Sequence, residues 1–160
     1  MGDDLLLDTS YLLPIFGVEL EYHDFEVVFS KLHERYSVRY NPVSLIEAKW
    51  IILKHSKRVP NQRDALLQAY RKGLLSLERD RRFQSTDLTS EGIEELSDIL
   101  LTQLNVPDYF DRQIYSTAAQ THAILLTEDE PLHALFNKKG SSLVKPKQII
   151  KWKNLLVEKC

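Results

Sequence analysis

Cysteine is almost missing from this chain: the only one is Cys160. No internal disulfide can form, and a cysteine-based metal site is excluded. A reducing compartment is the simplest home for such a protein, and the expected location is cytoplasmic. The five histidines (His23, His33, His55, His122 and His133) are scattered, and none has zinc-ligand spacing to another. Glycine is scarce, with five residues in all, which argues against many tight hairpins and for a chain dominated by helices. No apolar run approaches the roughly 18 residues of a membrane span. The opening Met1-Gly2-Asp3-Asp4 lacks the basic start of a signal peptide and is a poor myristoylation signal. Repeats, low-complexity tracts and linker-like stretches are absent too. The 160 residues are therefore read as one domain, 1–160, large enough to bury its own core.

What is abundant is charge, and it comes in blocks. Segment 1–53 has four Lys/Arg against nine Asp/Glu, 54–82 nine against three, 83–130 one against ten, and 131–160 seven against one. Two acidic stretches can converge on a cation while two basic stretches flank it and take phosphates. Taken singly, a charge run also fits a solvated helix face.

Leu5-Leu6-Leu7 is a short apolar run ending in Asp8, and Ala123 to Leu126 is a second, followed by Thr127-Glu128-Asp129. Both read as buried parallel strands. Between and after them the pattern predicts a helix over Tyr11–Gly17 with Thr9 or Ser10 as cap, and a second helix behind Asp24. A strand over Ser37–Tyr40 and a helix from Asn41-Pro42 to about His55 come next, then a basic helix from Pro60 or Asn61 to about Leu77. Arg82–Leu88 is weakly strand-like. Helices follow from Thr89-Ser90-Glu91 to Leu104 and from Pro107 to Thr121, then a short one over Pro131–Phe136. A last strand is expected over Ser142–Val144 and a last helix over Pro146–Val157. Strands alternating with helices imply an α/β fold of three layers, with a central, mainly parallel sheet of four to five strands. In such folds ligands sit outside the carboxyl ends of the strands.

Four acids occupy the informative positions. Asp8 and Asp129 stand at or just past the ends of the two apolar strands, although either could simply cap a helix. Glu47 has Val43, Trp50 and Ile51 as helical neighbours, so it is placed on an apolar face, where a carboxylate is costly to desolvate. Asp111 likewise has Ile114, Tyr115 and Ala118 beside it; Asp108, one turn earlier, is a candidate for a purely structural role at the helix start. Four carboxylates that converge would repel one another and call for a hard cation, Mg2+ or Mn2+. Such a site can activate water against a phosphodiester.

Leu5-Leu6-Leu7-Asp8-Thr9-Ser10, Glu47 in Val43–Ala48, Asp111 in Asp111–Ala118 and Leu125-Leu126-Thr127-Glu128-Asp129 together resemble the four acidic motifs of PIN-domain nucleases, with separations of 39, 64 and 18 residues. The resemblance covers essentially the whole chain. It implies a three-layer α/β/α domain, commonly a homodimer, with Mg2+- or Mn2+-dependent endoribonuclease activity. Many relatives are VapC-like toxins held inactive by an antitoxin protein, and others process RNA. Carried over, Asp8, Glu47, Asp111 and Asp129 would be metal ligands and catalytic residues, with Ser10 and Thr127 as supporting hydrogen-bond groups. The polar pair Arg112-Gln113 and the long basic helix depart from the common pattern.

For the RNA itself, Lys54, Lys57, Arg58, Arg63, Arg71 and Lys72, with Tyr70, are the contact candidates, and Lys138, Lys139, Lys145 and Lys147 form a second set. A haloacid-type phosphatase is set aside because Ser10 stands where its second Asp is needed, and a receiver domain because the early pair Asp3-Asp4 precedes the strand and no phosphoacceptor Asp appears between Asp24 and Asp64. The alternative outside enzymes is a nuclease-like fold used only to bind RNA or a protein partner.

Overall fold

Leu5, Leu6 and Leu7 are all fully buried, as a strand covered on both faces requires. The computed structural model describes residues 2–140 and 142–157; Met1 and Cys160 lie outside the described residues. Five strands, β1 (Asp4–Leu7), β2 (Ser37–Tyr40), β3 (Phe83–Ser85), β4 (Ile124–Leu126) and β5 (Gln148–Ile150), form one all-parallel sheet in the order β3-β2-β1-β4-β5. Among the described residues seven α-helices accompany them: α1 (Phe25–Lys31), α2 (Val43–Arg58), α3 (Arg63–Arg79), α4 (Glu91–Thr102), α5 (Tyr109–Gln120), α6 (Glu130–Asn137) and α7 (Trp152–Val157).

The alternation of side chains along β1 splits the core in two. Leu5 and Leu7 join Val38, Ile124 and Leu126 in one cluster with residues of α1, α3 and α7, while Leu6 and Leu125 join α4, α5 and α6 in the other. This is the three-layer α/β/α arrangement expected from the sequence. Aromatic rings seal the first cluster: Trp152 lies 5.0 Å from Phe25 and 5.8 Å from Tyr11, ring centre to ring centre. On the same side, Gly73 of α3 packs directly against the chain that follows β1. A β-carbon there would sit 2.3 Å from the carbonyl oxygen of Ile15, so only glycine allows this approach.

Several expected elements shift. Tyr11–Gly17 is not one helix but two short 3-10 turns, Thr9–Tyr11 and Leu13–Phe16, stopped by Gly17 at φ 84°. Asp8 caps the first of them in place of Thr9 or Ser10. The helix predicted to end near His55 runs to Arg58, and the basic stretch is divided between α2 and α3, joined by the turn Pro60–Gln62. The last strand is Gln148–Ile150 and not Ser142–Val144. Its three residues are too few to show alternation, and Ile149 lies three residues before Trp152, a spacing that mimics a helix.

Candidate active site

The strand order reverses direction of growth between β1 and β4, the point at which open α/β sheets leave a crevice at their carboxyl ends. Those two strands are in register, Leu7 opposite Leu126, and the amide of Asp8 donates to the carbonyl of Leu126 at 3.0 Å. Asp8 and Thr127 therefore leave the sheet side by side.

The fully buried Thr127 ties them together. Its hydroxyl donates to Asp8 Oδ2 at 2.5 Å and accepts from the amide of Asp129 at 3.1 Å. Asp129 in turn caps α6, accepting from the amide of Leu132 at 3.2 Å. Behind Thr127, His133 Nε2 lies 2.8 Å from its carbonyl oxygen. Thr9 does the corresponding work on the other flank: its amide donates to Asp8 Oδ1 at 2.7 Å and its hydroxyl donates to Glu47 Oε2. Glu47 comes from the first turns of α2, whose start is fixed by Asn41. That buried side chain accepts from the amide of Val43 at 2.8 Å and donates to Thr117 of α5 at 2.8 Å. Asp111 projects from the first turn of α5, where Asp108 caps the helix by accepting from the Asp111 amide at 3.1 Å.

Three of these acids are held above their ordinary ionisation range. Burial pushes the Asp111 carboxyl up to about 7, helped by repulsion from Asp108, Asp129, Asp8 and Glu47. Glu47 is pushed up to about 7 as well, again by burial first, with Asp8 and Asp108 adding to it against the opposing bond from Thr9. Asp8 is raised by burial despite its bonds from Thr127 and Thr9. Among the described residues, none of these acids has a basic partner. Nor do any three His, Cys, Asp or Glu side chains among the described residues stand close enough to form a complete ligand set for one ion. The donor set is nonetheless all oxygen, which suits a small hard cation that keeps several waters and takes only one or two carboxylates directly.

The remaining candidates divide. Ile114, Tyr115 and Ala118 beside Asp111 are buried as expected. Beside Glu47, Val43 is buried but Trp50 is 58% exposed, so Glu47 stands at the border of the packed face and not within it. Ser10 lies beside Tyr22, and the hydroxyl that reaches a second acid is that of Thr9, considered from the sequence only as a cap. Asp108 fills the capping role expected of it and also adds charge to the cluster; its exposed position one turn before Asp111 is the signal for both. Arg112 and Gln113 brace α5. Arg112 donates to the carbonyls of Val106 and Pro107 at 2.9 and 2.8 Å, and Gln113 donates to Glu94 at 2.5 Å.

Lys54, Lys57, Arg58, Arg63, Arg71 and Lys72 are all exposed. Tyr70 is not available to a ligand: it is buried, with its hydroxyl donating to the Leu45 carbonyl at 2.9 Å. Of the second basic set, Lys145 donates to the carbonyls of Phe136 and Lys138, and Lys147 pairs with Asp3 at the opposite edge of the sheet. Those two lysines are committed to the fold. Lys138 and Lys139 are exposed.

No protein-family model matches the chain, and neither does any curated protein. Among solved structures, the chain is similar to a chain of VapBC2 from Rickettsia felis, crystallised bound to a DNA fragment from their promoter. The TM-score is 0.59 at 15% identity over 93% of this chain and 98% of that one. At that identity the likeness is one of fold, and it extends across the whole of both chains.

Proposed function

We propose that the chain is a metal-dependent endoribonuclease of the PIN-domain type, with Asp8, Glu47, Asp111 and Asp129 around an Mg2+ or Mn2+ ion. What supports this is that Thr9 and Thr127 tie Asp8 to Glu47 and to the turn of Asp129 at the strand ends, with Asp111 near enough that all three acids help to raise its carboxyl. Such a cluster is unfavourable in itself, and bringing a divalent ion into it removes the repulsion. The ion would supply Lewis-acid stabilisation of a phosphodiester under attack and lower the pKa of a bound water. The chain's own contribution is positioning. Thr127 holds Asp8 and fixes the turn that carries Asp129, Thr9 holds Glu47 against Asp8, and Asp108 sets the start of the helix that aims Asp111.

The fold likeness to a VapBC2 chain supports a toxin-type role, in which an antitoxin protein would cover this edge, and a homodimer is part of the same reading. The test is cleavage of RNA by the purified chain with Mn2+, with EDTA, and with the Asp8→Asn variant. Cleavage that needs both the metal and Asp8 supports the proposal. RNA binding without metal-dependent cleavage would favour a nuclease-like fold that only binds.

A further inference from the structure

Helix α2 presents an apolar stripe to solvent that the fold does not use. Ile46 is 58% exposed, Trp50 58% and Leu53 40%; they stand at i, i+4 and i+7, one face of the helix. The buried face of the same helix, Ala48 and Ile52, points the other way into the core. Glu47 lies three residues before Trp50, so the indole stands one helical turn from that acid. Beyond Glu47 the charge along α2 is of one sign. After Glu47, α2 contains no further acid, while Lys49, Lys54, Lys57 and Arg58 follow. Lys54 Nζ stands 5.9 Å from the Trp50 ring, and Lys57 is exposed on the same side of the helix.

We propose that Trp50 is a stacking platform for an unpaired nucleobase of single-stranded RNA, one helical turn from Glu47, with Lys54 and Lys57 holding the adjoining phosphates. The inference rests on the nuclease reading and extends it to the binding of substrate. An exposed flat ring bordered by cations is the arrangement that takes single strands without reading their sequence, since every base has a face to stack and every link carries a negative charge. A base inside a duplex could not reach it.

Intrinsic fluorescence tests this directly. The second tryptophan, Trp152, is only 3% exposed, so long-wavelength emission reports Trp50. A short oligouridylate is titrated in EDTA, where cleavage cannot occur. The expected result is quenching of that emission, with binding weakened about tenfold in Trp50→Ala and largely retained in Trp50→Phe. Lys54→Ala should flatten the dependence of affinity on salt. Equal affinity in the wild type and Trp50→Ala overturns the proposal, and so does loss of self-association, or of an acidic protein partner, in Trp50→Ala with RNA affinity unchanged. A separate Mn2+ cleavage assay on the wild type reads the acids. Quenching without cleavage would fault the nuclease reading and leave the platform standing, whereas cleavage without a Trp50 effect would do the reverse.

Discussion

At the edge where the strands begin, Asp3 is paired with Lys147 at 2.5 Å and Asp4 with Arg39 at 3.2 Å. At the edge where they end, Asp8, Glu47 and Asp111 are held above their ordinary ionisation range, and among the described residues no basic side chain pairs with them. The same residue types on the same sheet thus meet opposite treatment. The first edge neutralises its charge internally and gains a little stability from exposed pairs. The second gives up stability to keep several carboxylates close and half-buried, and perturbed acids in a crevice are a mark of function.

The sharpest way to break this contrast is to remove an acid from the second edge. Asp8→Asn and Asp111→Asn should each lower metal-dependent RNA cleavage by roughly 100- to 1,000-fold, the scale of losing a preorganised electrostatic group. Circular dichroism should show the fold intact. Full activity in both variants would end the assignment.

Adding a divalent cation should stabilise the folded chain, because an ion that binds only the folded state raises its melting temperature. Mn2+ or Mg2+ is expected to do so for the wild type and not for Asp8→Asn; equal shifts in the two proteins would place the ion elsewhere.

Proton binding offers a third probe. Glu47 and Asp111 ionise near 7 in the folded chain, above their ordinary values of 4.5 and 3.8. Between those limits each of these two acids holds more proton in the folded state than in the unfolded one, so their contribution to stability falls as pH rises. In EDTA, the melting temperature should decline from about pH 4 to about pH 7 and then level off. Asp111→Asn should flatten that decline and melt roughly 2–4 °C higher at pH 8, about what 1 kcal/mol gives a chain of this size. Identical pH profiles for the wild type and Asp111→Asn would contradict the raised ionisation of this buried acid.

The smallest effects compare single polar links at the two edges. Thr127→Val leaves Asp8 without its donor and the Asp129 amide without its acceptor, and should cost about 1–3 kcal/mol by denaturant unfolding together with much of the activity. Lys147→Ala removes an exposed pair at the other edge and should cost under about 1 kcal/mol, leaving cleavage unchanged. Similar losses from both would erase the distinction.

The sheet was legible, and so was the packed face beside Asp111, because each left a local mark. A run such as Leu5-Leu6-Leu7 between helical stretches fits a strand covered twice, and Asp111 sits in register with Ile114, Tyr115 and Ala118, all buried. What escaped was information carried by distant parts of the chain. The strand Gln148–Ile150 exists because Ile124 to Leu126 offer it a ladder, and nothing in its own three residues announces that. Thr9 and Glu47 are 38 residues apart, and their bond depends on how α2 leaves β2. Trp50 looked like a packing residue because its spacing from Glu47 was right for one, yet the buried face of α2 turned out to be centred on Ala48 and Ile52.

Gly73 carries a consequence for heredity. It contributes no side chain and lies on a helix away from the acids, yet any larger residue there would collide with the backbone at Ile15, seven positions beyond Asp8. If the activity harms the cell that makes it, survivors selected for silent copies of the gene should include changes at codon 73 alongside changes at the four acids. Their products would keep every carboxylate and still be inert, because the turn that carries Asp8 would have been pushed aside.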